Sequence, residues 1–184
     1  MVRLEVKCGL LISSRKPISV IILINFILFL APHLKTKSLE LSSFERMRVN
    51  PARSVLSRET ASAIRYCVEY YPEIFNDDDL TTAFFLEATA DWFNICNNRS
   101  FKLAFSKKKP EVHKEYVDWL KWYMEFYCSM KLSEKQGASL KPTQKGLIMA
   151  TSSILILQES LLDSGFEFVL SARFTNDCIE NFFR

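Results

Sequence analysis

Apolar residues return every three or four positions along most of this chain, which is the spacing of amphipathic helices. Over residues 54–71 this pattern predicts a helix that Ser57 can cap and that Pro72 ends, because proline cannot continue helical hydrogen bonding. A second helix is predicted over residues 80–97, and the aspartates at positions 77–79 place favourable negative charge at its N-terminus. Both segments are therefore predicted to be helical.

The second half of the chain has the same character. Between Pro110 and Met130, aromatic and aliphatic residues occupy one helical face and charged residues the other, which predicts a helix whose aromatic stripe is core. Another helix is predicted over residues 146–163, and because it is apolar on nearly all sides, a partner or further chain should bury it. Residues 166–174 fit a short strand or an extended link. The predicted fold class is mainly α, with a short strand near the C-terminus.

The first 32 residues differ from the rest of the chain. Basic residues precede an apolar run over residues 18–31 that only Ser19 and Asn25 interrupt. A membrane-spanning helix needs about 20 apolar residues, so this run has the length of a signal-peptide core or a marginal anchor. A buried strand would have the same composition. We predict that the segment is not a working membrane anchor, and a membrane tether through residues 18–31 is the alternative.

Composition limits the chemistry that this chain can perform. It is 48% hydrophobic and 24% charged, which is typical of a globular protein, and its net charge of +3 is too small to indicate nucleic acid by itself. The five cysteines form no Cys-x-x-Cys pair, which argues against a zinc site and favours a reducing compartment. The four glycines form no phosphate-binding loop. Any nucleotide site must therefore be of an unusual kind.

Two pairs of polar residues are candidate ligand-binding groups. Asp91 and Asn94 lie on the polar line of the helix predicted over residues 80–97, so they share one face, which is either solvated or turned to a ligand. Asp177 and Glu180 have the same spacing near the C-terminus. Spacing alone fits a capping box there, with Asp177 as the cap and Glu180 reaching back.

Six short segments along the chain carry a common signal: residues 33–35, 44–52, 55–57, 97–100, 145–147 and 176–183. Taken together and in order, they resemble the P-element-type, THAP-domain-associated DNA transposases. They cover about residues 33–184, and residues 1–32 do not match.

The resemblance implies a domain organisation. In that family a helical GTP-binding domain is inserted into an RNase H-like catalytic fold. Residues 33–132 would then form the helical insertion domain and residues 133–145 a linker. Residues 146–184 would be the C-terminal helical and short-strand part of the RNase H-like transposase domain, with residues 1–32 outside the resemblance.

The resemblance also implies site residues. Glu180 is similar in position to the family's last catalytic acid, which would make it a Mg²⁺ ligand. A carboxylate such as Asp91 or Asp177 can accept hydrogen bonds from both the ring N–H and the exocyclic amino group of guanine, a donor pair that adenine does not present. The implied cofactors are GTP and Mg²⁺. The implied nucleotide-binding residues are Arg48, Val49, Asp91, Asn94 and Asp177.

Two hypotheses about function follow. The first is a transposase-derived fragment that binds guanine nucleotide and is inactive alone, because two-metal phosphoryl transfer needs several carboxylates and the family's other two should lie upstream of His33. It implies DNA as the family's partner, leaves a homo-oligomer open, and favours the nucleus. The second is a membrane-tethered helical interaction protein. Glycosylation of the Asn98-Arg99-Ser100 sequon would favour the second hypothesis.

Overall fold

The computed structural model describes residue 30, residues 49–130 and residues 140–175, and from residue 49 onward the described chain is mainly helical, as predicted. Two short 3₁₀ turns, Phe101–Leu103 and Ser171–Phe174, accompany the α-helices. The described residues contain one isolated antiparallel β-bridge, between Phe105 and Val169, where an extended segment was predicted. The helices are α1 (Val49–Val55), α2 (Arg58–Tyr70), α3 (Asp78–Cys96), α4 (Pro110–Ser129) and α5 (Pro142–Asp163).

The helix predicted over residues 54–71 is wrong at its start, because the chain forms two helices there. Ser57 has φ −136° and ψ 155°, an extended conformation that interrupts the helical backbone between α1 and α2. Its Oγ accepts a hydrogen bond from the Thr60 backbone N–H at 3.2 Å, so the predicted cap is confirmed. The cap that starts α2 is therefore also the reason why α1 ends.

The start predicted for the last helix, at Gly146, is also wrong. α5 begins at Pro142, whose fixed φ suits the first helical position and whose missing N–H is not needed there. The Gln144 side chain then accepts a hydrogen bond from the Lys141 backbone N–H at 2.9 Å and closes the N-terminus. At its other end, Gly165 takes a φ of 98°, which turns the chain away from the helix.

Contacts divide the described residues into two compact units, and residues 49–91 form the first. Here α2 and α3 share a core of small and branched residues that are at most 7% exposed. Acidic residues occupy the first turn of α3, where they favour its N-terminal dipole, as the sequence predicted. The core residues are Ala61, Ile64, Ala83 and Leu86.

Residues 92–130 and 140–175 form the second unit. Its core lies between α4 and α5, and the aromatic stripe of α4 contributes to it as predicted, with Trp119 and Tyr123 stacked at a centroid distance of 5.3 Å. α5 is long and apolar enough to cross a membrane, but core helices of soluble proteins often have the same length and composition. One side of α5 packs on this core through Ile154 and Leu162. The polar residues of its buried side are hydrogen-bonded within the protein.

Candidate functional site

An ion pair between α2 and α3 organises the polar face of the first unit. Arg58 Nε donates to Asp91 Oδ1 at 2.6 Å, and the two side chains are 63% and 20% exposed. Arg58 lies at the start of α2 and Asp91 near the end of α3, so the two helices run antiparallel at this point. The pair is accessible to solvent on one side and supported by the helix core on the other.

A second ion pair lies on the same two helices. Arg65 Nη2 donates to Glu87 Oε2, one turn before Asp91 along α3 and two turns beyond Arg58 along α2. The order of the two pairs agrees with antiparallel helices. This pair resembles the first in chemistry, which makes it a natural control for any function assigned to Asp91.

The first ion pair strengthens the positive charge of Arg58 and leaves part of Asp91 able to accept other hydrogen bonds. The hydrogen bond to Asp91, followed by the charge of that carboxylate, raises the pKa of the Arg58 guanidinium above its ordinary value. Of the two Asp91 oxygens, Oδ1 accepts from Arg58. Because each carboxylate oxygen has two acceptor sites, Asp91 can keep Arg58 and still accept further hydrogen bonds.

The structure places some of the predicted nucleotide-binding residues together on one helix. Asp91 and Asn94 both lie on α3, three residues apart and therefore on one helical face, and Asn94 is exposed. Val49 is the first residue of α1. The predicted residues Arg48, Asp177 and Glu180 lie outside the described residues.

Sequence reasoning missed Arg58, which is the direct partner of Asp91. The two residues are 33 positions apart, and nothing in the pattern of α2 distinguishes Arg58 from the other charged residues on its exposed side. The signal that could have found it is the helix pairing itself, which only a tertiary fold supplies.

No metal site can be assigned to the part of the chain that the structure describes. Residues 49–130 and 140–175 contain no group of three or more histidine, cysteine, aspartate or glutamate side chains placed to hold a metal ion. The predicted Mg²⁺ ligand, Glu180, lies beyond these ranges. Mg²⁺ therefore stays a prediction from the resemblance.

The Asn98-Arg99-Ser100 sequon forms a turn in the folded chain. Asn98 is only 7% exposed, and its Oδ1 accepts from the Ser100 backbone N–H at 2.8 Å while its Nδ2 donates to the Ser100 carbonyl at 3.2 Å. Its backbone N–H also donates to Ser171 Oγ at 3.0 Å. A glycan on Nδ2 would require this turn to open, so the sequon does not favour the membrane-tethered hypothesis.

Comparison with known proteins agrees with the resemblance found in the sequence. Residues 25–110 match the family model described as a TNP-like, GTP-binding insertion domain. The chain is 30% identical over 146 residues to the Transposable element P transposase of Drosophila melanogaster. This alignment covers 77% of the chain and 19% of the Drosophila protein. The chain thus spans about a fifth of the length of this curated relative.

A solved structure has a similar fold. The Drosophila P element transposase strand transfer complex matches with a TM-score of 0.66 at 21% sequence identity, over 87% of this chain and 38% of the matched chain. The similarity therefore extends beyond the residues that the insertion-domain model matches.

Proposed function

We propose that the chain is a relative of the P-element-type transposases and that it binds a guanine nucleotide. The observation that carries this proposal is the Asp91 carboxylate, held by Arg58 on a solvent-accessible face of a chain segment that matches a GTP-binding insertion domain. The proposal concerns binding; hydrolysis of the nucleotide is not part of it.

Asp91 is proposed to recognise the guanine base. Guanine offers a ring N–H and an exocyclic amino group side by side, and an ionised carboxylate can accept from both at once. Adenine offers no such pair, so bound ATP would leave the acceptor sites of Asp91 that Arg58 does not use without hydrogen bonds. Discrimination between the two nucleotides would follow from that difference.

Arg58 is proposed to position Asp91. Its Nε hydrogen bond to Oδ1 restrains the orientation of the carboxylate. Asn94 is proposed as a neighbouring contact, since it is exposed one turn along α3. Arg48, Val49 and Asp177 stay proposed contributors, with Arg48 the basic candidate for the phosphates.

The transposition chemistry of the family is proposed to be incomplete in this chain. Residues 146–184 would form part of an RNase H-like catalytic domain, with Glu180 as catalytic acid and metal ligand. One carboxylate cannot hold the two cations that phosphoryl transfer of this kind uses, so we expect no activity from the chain alone. DNA, a nuclear location and a homo-oligomer belong to the same proposal.

The proposal is tested by titrating the pure chain with a fluorescent guanine nucleotide and displacing it with unlabelled GTP or ATP. We expect GTP to compete at least tenfold better than ATP, because the paired hydrogen bonds to a charged group are worth about 1.5–3 kcal/mol. The variant Asp91→Ala should lose most of this discrimination. The matched control is Glu87→Gln, which breaks the neighbouring ion pair and should bind GTP as wild type does.

Two results would contradict the proposal. Equal competition by ATP and GTP would remove the guanine specificity on which it rests. Equal GTP affinity in Asp91→Ala and wild type would show that Asp91 is only a helix-pairing residue. Circular dichroism of each variant establishes that the chain is folded.

A further inference from the structure

An exposed aromatic surface lies on the second unit. We call it the Phe surface and define it by Phe101, Leu103, Phe166 and Phe168, whose exposed fractions are 68%, 51%, 57% and 43%. Phe101 and Phe168 meet edge to face, with ring centroids 4.9 Å apart and an interplanar angle of 79°. Each ring of this pair has a second exposed apolar side chain two residues away in sequence, Leu103 or Phe166, and exposed apolar patches mark interaction sites.

The backbone holds these side chains outward. Phe105 N–H donates to the Val169 carbonyl at 3.1 Å, and Val169 N–H donates to the Phe105 carbonyl at 2.8 Å. Because side chains alternate along an extended segment, burying Val169 at 5% exposure turns Phe168 to the opposite side. Ser106 Oγ adds a hydrogen bond to the Glu167 carbonyl at 2.8 Å. The exposure of the Phe surface is thus fixed by the fold.

The chain segment that carries Phe101 and Leu103 is rich in basic residues. Residues 99–110 contain no acidic side chain, and Lys102 lies between Phe101 and Leu103 in the same 3₁₀ turn. Lys109 Nζ approaches the Lys102 carbonyl at 3.4 Å, which brings a second amine to this turn. The five bases of this stretch are Arg99, Lys102, Lys107, Lys108 and Lys109.

Two of these lysines form ion pairs with acidic side chains, and these pairs reduce the positive charge of the segment only in part. Lys107 contacts Asp163 at 2.8 Å and Lys108 contacts Glu167 at 2.8 Å, and all four side chains are at least 60% exposed. Exposed ion pairs of this kind contribute little stability, so either lysine can exchange its carboxylate for a phosphate at small cost. Lys102 lies in the 3₁₀ turn beside Phe101 and Lys109 reaches the same turn, so the charge next to the rings is positive.

We propose that the Phe surface binds single-stranded nucleic acid. Unpaired bases can stack on exposed aromatic rings while lysines contact the phosphates that connect them, and both elements are present within one small area. A duplex hides its base faces, so it would use the lysines and leave the rings in water. The excess of positive charge favours a polyanion over an apolar protein surface. This inference does not depend on the guanine site.

The test is fluorescence anisotropy of a labelled oligothymidine 20-mer with the full chain, measured over a range of salt concentrations. The variant Phe101→Leu with Phe168→Leu keeps apolar volume and removes the π faces, and we expect it to weaken binding at least tenfold. Tyr70→Leu is the matched control, since it removes a 57% exposed ring from the first unit and should change nothing. A duplex of the same length should bind more weakly, and an oligouridine probe compares RNA with DNA.

The lysines are tested separately because their replacement does not endanger the fold. Lys102→Gln with Lys109→Gln should reduce the slope of log affinity against log salt by about 0.7 for each phosphate that is no longer neutralised. Unchanged affinity in the double phenylalanine variant, or equal displacement of the oligonucleotide by duplex and by heparin, would overturn the proposal in favour of general charge attraction. Self-association of the chain that Phe101→Asp abolishes, without oligonucleotide binding, would overturn it in favour of a protein interface.

Discussion

Gln144 is the residue whose loss should destabilise the second unit most clearly. Its side chain is fully buried at 0% exposure and connects the end of α4 to the start of α5. Nε2 donates to the Tyr127 carbonyl at 3.0 Å and to the Met130 carbonyl at 2.9 Å, while Oε1 accepts from the Lys141 N–H. One amide therefore satisfies backbone groups at two helix ends.

The variant Gln144→Leu preserves side-chain volume and removes all three hydrogen bonds. The Met130 carbonyl is buried and would have no water to replace the amide, which costs about 1–3 kcal/mol. The hydrogen bonds to the Tyr127 carbonyl and from the Lys141 N–H are part-buried, so each of these losses costs about 0.5–1 kcal/mol. We expect a decrease of about 3 kcal/mol in the free energy of unfolding.

Urea denaturation followed by tryptophan fluorescence measures this decrease. A loss of about 3 kcal/mol corresponds to a fall in melting temperature of roughly 6–12 °C for a chain of this size. The control is Thr143→Ala, an exposed neighbour in the same first turn, which should change stability by less than about 0.5 kcal/mol. If Gln144→Leu unfolds at the same urea concentration as Thr143→Ala, the hydrogen bonds assigned to this amide do not stabilise the fold.

Three further outcomes are expected. Burial raises the pKa of the Cys96 thiol to about 12. In a chain carrying Cys8→Ser and Cys178→Ser, a thiol reagent should therefore label exposed Cys128 rapidly and Cys96 only on unfolding. Fast labelling of both cysteines would contradict this burial. Ser57→Ala should lower the free energy of unfolding by about 1 kcal/mol while Ser57→Asp preserves it, and equal loss in both would exclude a capping role. The pure chain should not cleave DNA in Mg²⁺, and cleavage that Glu180→Gln abolishes would show that a partial catalytic domain suffices.

Local features of the fold were predictable where a few neighbouring residues decide the structure. Ser57 caps α2 and Pro110 begins α4 as the sequence indicated, because caps and first-turn prolines act over three or four residues. The start of α5 was missed although its signals are also local, with Pro142 at the first helical position and Gln144 accepting from the Lys141 N–H. What no local pattern contains is the hydrogen bond from Gln144 to the Met130 carbonyl, 14 residues earlier and just beyond α4.

In the candidate site too, the residues placed by local spacing were predictable and the residue placed by a tertiary contact was not. Asp91 and Asn94 could be placed on one helical face from their spacing, and α3 confirms that placement. Arg58 could not be found, because its role arises from the antiparallel pairing of α2 with α3. Asn98 lies beyond the end of α3 and is buried in a turn, where its backbone N–H donates to the Ser171 hydroxyl and its carbonyl accepts from the Ala172 N–H. The assignment of Asp91 as a ligand of guanine stays a prediction.

The most direct measurement of the central proposal exchanges the acceptor at Asp91 for a donor. In Asp91→Asn the side chain can still accept from guanine's or xanthine's ring N–H, but its amide now donates where guanine also donates. Xanthine carries a carbonyl at that position, so the variant should bind xanthosine triphosphate in preference to GTP, the reverse of the wild-type order. A competition titration of both nucleotides against wild type and Asp91→Asn gives the result. Reversed preference is what the proposal predicts, and an unchanged preference for GTP in the variant would contradict it.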